Sequence, residues 1–146
     1  KARSYRLPNE AAQATMVPVL GQVQAGALTT AVQDLDGYLP VCSRDADQCF
    51  ALRVKGMSMI GVGILPGDLV VVHQQDSASS GNIVVALVDG EATVKTLRHN
   101  NDRVELHAEN PAFEPIVPDG EDVRILGKVV EVRRIFDQSV GGYRSA

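Results

Sequence analysis

The chain alternates short runs of β-forming residues with polar or glycine-containing breaks, and it offers little of the 3.6-residue period of an amphipathic helix. Phe50, Leu52 and Val54 alternate with Ala51, Arg53 and Lys55, which predicts a half-buried strand running straight into Gly56. Leu69, Val70, Val71 and Val72 form an unbroken apolar run, which predicts a short buried strand. Asp89-Gly90 separates two β-rich stretches, residues 82–88 and 91–98. It predicts a tight hairpin, because both central positions of such a turn need positive φ. Asn100-Asn101-Asp102 makes the next turn, into a strand through Val104, Glu105 and Leu106. Residues 123–136 read as a last strand or pair of strands, with Gly127 a bend or bulge. Residues 16–23 are also β-rich, and Pro18 confines that strand to a sheet edge, since proline has no N–H to donate.

Between these runs, residues 28–39 show no clear period, and Asp36-Gly37 marks a turn before Tyr38. Residues 42–48 read as a surface loop, residues 58–64 as a helical turn or a loop, and Pro66-Gly67-Asp68 as a turn. Residues 110–118 form a proline-containing loop. Eight or nine short strands with little helix predict a compact, mainly all-β domain. It should be mostly antiparallel and either barrel-like or a folded sheet. The expected organisation is a polar arm or linker over residues 1–15, a folded unit over 16–136 and a flexible tail over 137–146.

A length of 146 residues suits one domain with its own core. Trp is absent and aromatics are scarce, so that core must come from Val, Leu, Ile and Ala. A net charge of −4 argues against holding nucleic acid by overall field. No apolar run approaches the length of a membrane span and no signal-peptide pattern opens the chain, so the expected location is cytoplasmic. There Cys42 and Cys49 should be reduced, and their spacing fits no zinc pattern; no cofactor or metal is expected. The first residue is Lys1 and not Met, which reads as a fragment or a chain cut at its start.

One stretch carries candidate chemistry. Ser58 lies between Met57 and Met59, just past Gly56, at the end of the predicted strand. A serine hydroxyl needs a partner to take its proton before it becomes a nucleophile. His73, His99 and His107 end strands or lie near polar turns, and none has an obvious carboxylate beside it to orient the ring. A neutral lysine serves the same purpose, and burial is what makes a lysine neutral. Lys95 sits on a predicted strand, on the same face as Thr93 and Leu97, and is a candidate for such burial. Gly56 permits a tight bend that turns the backbone N–H groups of Met57 and Ser58 toward a developing oxyanion. The plainer alternatives stay open on these residues alone: Ser58 as a turn serine, Lys95 as a solvated strand lysine, Gly56 as a simple turn glycine.

Taken together, several stretches resemble the C-terminal domain of the LexA repressor family. They are Gly56-Met57-Ser58-Met59, Gly63-Ile64, Pro66-Gly67-Asp68-Leu69, Thr93-Val94-Lys95 and Gly127-Lys128-Val129-Val130. Gly21-Gln22-Val23-Gln24-Ala25-Gly26 is similar to that family's self-cleavage segment, and Asn110-Pro111-Ala112-Phe113-Glu114-Pro115-Ile116 to a stretch shared with UmuD-type polymerase subunits. The resemblance implies a folded β-sheet of the signal-peptidase and LexA type and an S24-type serine–lysine endopeptidase. In it, Ser58 is nucleophile, Lys95 base and the Ala25–Gly26 bond the one cut. It also implies a homodimer, a role in the DNA-damage (SOS) response and a RecA filament on single-stranded DNA as activator. Operator DNA would be bound only through an N-terminal helix-turn-helix domain that is not in this sequence. The alternatives are a UmuD-like subunit of a translesion polymerase and a non-enzymatic β dimerisation module.

Overall fold

The computed structural model describes residues 13–21, 35–118 and 123–137. Eight strands form one sheet: β1 (Thr15–Leu20), β2 (Leu35–Val41), β3 (Cys49–Arg53), β4 (Leu69–Gln74), β5 (Ile83–Val88), β6 (Glu91–Asn100), β7 (Arg103–His107) and β8 (Val123–Arg133). Their order across the sheet is β2-β1-β3-β4-β8-β5-β6-β7. Every pairing is antiparallel except β1 with β3. The helical content of the described residues is two short 3-10 turns, Ala46–Gln48 and Ile60–Val62. The mainly antiparallel β class expected from the sequence is what forms, and it forms as a folded sheet.

The turn chemistry explains the hairpins. Asp89 and Gly90 take φ of 51° and 87°, as a two-residue hairpin between Val88 and Glu91 requires. Asn101 and Asp102, at 52° and 67°, close β6 onto β7 in the same way. Pro66-Gly67 turns the chain into β4, with Asp68 N–H donating to the Leu65 carbonyl at 3.0 Å.

Three expectations are corrected. Pro18 does not mark an edge: β1 lies between β2 and β3. It is tolerated because the pairing with β3 begins only at Val19, so the missing N–H lies beyond that ladder. Asp36-Gly37 is not a turn but part of β2. Asp36 and Gly37 together oppose Val19, and Gly37, at φ 101°, supplies the bulge. β3 is not half-buried, since Cys49, Phe50, Ala51 and Leu52 are all buried.

That last difference follows from how the sheet folds. Alternate residues of the central strands enter different cores. Val70 and Val72 join Leu52, Val85 and Leu126 in one, while Leu69 and Val71 join Val17 and Ala51 in another. A third core, around Val84, Ala86, Leu97 and Leu106, lies under the β5–β7 end. A sheet covered on both faces favours continuous apolar strands, hence the Val runs. Gly127 allows the crowding at β8, because a Cβ there would lie 2.4 Å from the His73 carbonyl oxygen. β8 bulges beside it, at Leu126 against β5, and again at Val130 against β4.

Candidate active site

Ser58 rides on the excursion between β3 and β4. The base of that loop is closed by Val54 N–H to the Asp68 carbonyl (2.7 Å) and Gly67 N–H to the Val54 carbonyl (2.9 Å). Gly56, at φ 78°, starts the excursion. No atom approaches its missing Cβ, so its reason is backbone conformation and not close approach. The far side is clamped by a buried carboxylate. Arg134 Nε and Nη2 donate to the two Asp68 carboxylate oxygens at 2.7 and 2.8 Å, and Nη2 also reaches the Gly63 carbonyl. The Arg134 guanidinium holds the Asp68 carboxyl below the usual carboxylate range, a fork-to-fork contact that fixes the loop's end to the residue just past β8.

Lys95 arrives from β6. Its cross-strand partner Val84 and its neighbour Leu97 are both buried, and Lys95 itself is 7% exposed. Its Nζ lies 3.3 Å from Ser58 Oγ and also donates to Thr93 Oγ1. Burial holds the Lys95 amine below the ordinary lysine value, and among the described residues no carboxylate is in contact to counteract it. The tertiary fold thus brings Ser58 and Lys95, 37 residues apart in sequence, within hydrogen-bonding distance. Thr93 was placed on the Lys95 face by strand alternation, but its role as hydrogen-bond partner was not. The i, i+2 relation of two polar side chains on a buried strand was the available signal.

The histidines stand elsewhere in hydrogen bonding. His73 contacts Gln48 and Gln75, and His107 contacts Glu105 at 2.8 Å. His107 therefore does have a carboxylate partner, contrary to expectation, but neither it nor the others bonds to Ser58 among the described residues. Cys42 is exposed, Cys49 buried, and both are free thiols. Among the described residues, the N–H groups of Met57 and Ser58 donate to no protein acceptor.

A cleft of about 390 Å³ opens at Ser58, lined among others by Leu52, Val54, Met59 and Val94. Gly21, the last described residue after β1, lines the same cleft. Ala25 and Gly26 follow it in sequence but lie outside the described residues, as do residues 1–12 of the expected arm and 138–146 of the expected tail. The arrangement offers a hydroxyl, an amine biased toward neutrality, backbone donors unengaged among the described residues, and a groove whose lining mixes apolar side chains with Arg53, Lys55 and Glu91. Such a set suits acyl transfer.

The family comparison agrees with that chemistry. The Peptidase S24-like family model matches residues 18–130. The chain belongs to the peptidase S24-like family. Membership in this family implies a serine-type, self-cleaving peptidase. Curated relatives named LexA repressor share its sequence. The one from Magnetococcus marinus is 50% identical over 126 residues, 85% of this chain and 54% of the relative. That from Geobacillus kaustophilus is 49% identical over 125 residues, 83% of this chain and 59% of the relative. That from Geotalea uraniireducens is 46% identical over 132 residues, 87% of this chain and 65% of the relative. The chain thus spans between half and two thirds of the length of these S24-like relatives.

Proposed function

We propose that this chain is the self-cleaving, dimer-forming part of a LexA-type repressor, with Ser58 as nucleophile, Lys95 as general base and Ala25–Gly26 as the bond cut. The observation that carries the reading is the 3.3 Å approach of Lys95 Nζ to Ser58 Oγ by an amine that is itself buried. A neutral amine can accept the hydroxyl proton across that same contact, with donor and acceptor exchanged. Ser58 Oγ then attacks the Ala25 carbonyl carbon. The oxyanion faces the Met57 and Ser58 N–H groups, and Lys95 returns the proton to the Gly26 nitrogen as the bond breaks. Water hydrolyses the ester in a second, equivalent step.

Substrate delivery is short-range. Ala25 is four residues beyond Gly21, which lines the Ser58 cleft, so it lies within about 14 Å of that point even fully extended. Small residues at 25–27 let the backbone reach attack distance. Because substrate and site share a chain, cleavage must be restrained by a two-state equilibrium. In one state the segment is away and Lys95 is hydrated and charged; in the other the segment is docked and Lys95 is dry and neutral. A RecA filament on single-stranded DNA would act by binding the docked state more tightly.

The remaining assignments follow from the same reading. Operator binding belongs to a further N-terminal domain, joined through residues 1–15 to the unit spanning 16–136, with a tail beyond. The relatives' repressor name favours this role over a polymerase subunit. The test is incubation at rising pH followed by mass measurement. A cut between Ala25 and Gly26 should appear, its rate rising from neutral to alkaline pH as Lys95 loses its proton. Ser58→Ala and Lys95→Ala should each slow it about 1000-fold or more, and Gly26→Asp should block it by bulk and charge. A pH-independent rate, or normal cutting by Lys95→Ala, would remove the lysine from the mechanism.

A further inference from the structure

A stretch outside both the Ser58 loop and the Lys95 strand touches each of them. Residues 109 and 110 run beside the Ser58 turn and make three hydrogen bonds in succession. Asn110 Nδ2 donates to the Met57 carbonyl at 2.8 Å, Glu109 N–H to the Ser58 carbonyl at 2.7 Å, and Gly61 N–H to the Glu109 carbonyl at 2.8 Å. The approach is close enough that a Cβ on Gly61 would lie 2.4 Å from the Glu109 carbonyl oxygen. His107, the last residue of β7, pairs with Thr96, but residues 108–115 beyond it form a loop closed by the Leu106–Ile116 bridge, so the grip two residues past the strand needs a side-chain anchor to β6. The anchor is the Glu109 carboxylate, which accepts the hydroxyl of Thr96 at 2.8 Å. Thr96 is 3% exposed and follows Lys95 directly on β6. Arg98 adds only a 3.8 Å approach from a half-exposed side chain.

We propose that Glu109 is a positioning residue for the Ser58–Lys95 pair. Its backbone holds the Ser58 turn, and its carboxylate ties that grip to Thr96, the residue next to Lys95. The reading rests on Ser58 as nucleophile and Lys95 as base. Glu109 touches neither reacting atom. It sets the distance between two elements that meet only through tertiary contacts, and about 1 Å of misplacement at a reacting pair is worth as much as 100-fold in rate.

The experiment measures two rates well below the thermal transition: self-cleavage at alkaline pH, and phosphonylation of Ser58 by a small fluorophosphonate, which needs an activated serine but no docked segment. Glu109→Ala and Thr96→Val should each slow both about tenfold or more. The double variant should be no slower than either single, because both cut the same tether. Glu109→Gln, which retains an acceptor for the Thr96 hydroxyl, should recover most of the loss, and Arg98→Ala should stay within twofold of the parent. Gly61→Ala, which forces the grip apart from the other side, should slow both rates with Glu109 intact. The proposal is overturned if Glu109→Ala and Thr96→Val label at the parental rate, whether or not self-cleavage slows. It is equally overturned if their losses multiply in the double variant. If the unaltered chain labels at Ser58 yet never cuts at Ala25–Gly26, the cleavage assignment fails instead, and labelling alone decides the role of Glu109.

Discussion

Burying an amine costs most when the amine is charged, and at Lys95 that cost connects stability to chemistry. With the amine held below its ordinary value of 10.5 by desolvation, the unfolded chain binds the proton more tightly than the folded one. Stability attributable to this group is therefore least below the folded pKa, and it grows as pH rises toward the unfolded value. Lys95→Met should then raise the denaturant midpoint at neutral pH, with the gain shrinking as the pH approaches 10.5; a constant or reversed difference would show that the amine is not desolvated. The alternation of residues 91–97 placed Lys95 beside Leu97, and so suggested burial. It did not show that Thr93 Oγ1 and Ser58 Oγ would be the partners, because a side-chain direction on a strand fixes a face and not a neighbour across the molecule.

The Ser58 loop is held at its base, at its far end by Asp68 and Arg134, and along its side by residues 109–110. Its outline was legible from Gly56 and Pro66-Gly67. The clamps were not, since their partners are distant in sequence. Two glycines separate the kinds of constraint at this scale. Gly127→Ala should lower stability by about 2–3 kcal/mol, because the added methyl meets the His73 backbone in a packed sheet. Gly56→Ala should cost about 1 kcal/mol, the penalty of positive φ in open space. Urea unfolding of the two variants orders these effects, and equal losses would mean that the β8 crowding relaxes. The same distinction explains Pro18 and Gly37. Each has the local signature of an edge or a turn, and each is absorbed by a strand because the register places a ladder end or a bulge there.

Across the whole molecule, β8 is the strand on which the two halves meet, pairing β4 on one side and β5 on the other. The β5 pairing ends at Lys128 while the β4 pairing continues to Arg133. Residues 129–133 thus have one neighbouring strand among the described residues, with Val130 and Val132 exposed beside it. An unpaired strand edge with apolar side chains suits addition of the same strand from a second copy. If the proposed dimer uses that edge, Val130→Lys combined with Val132→Lys should weaken self-association at least tenfold in sedimentation velocity. Thermal unfolding of the monomer should change little, since exposed substitutions usually shift stability by less than about 0.5 kcal/mol each. Unchanged association would place the seam elsewhere.

By itself the sequence determined the β class, the hairpin turns and the residue types of the candidate site. Strand alternation, positive-φ turn residues and the chemistry of serine and lysine are local properties. Tertiary structure alone decided that β1 is interior, that both faces of β3 and β4 are covered, and that Lys95 Nζ stops 3.3 Å from Ser58 Oγ. Those are matters of register and folding of the sheet, set by which apolar faces can be buried together, and no window of a few residues contains them.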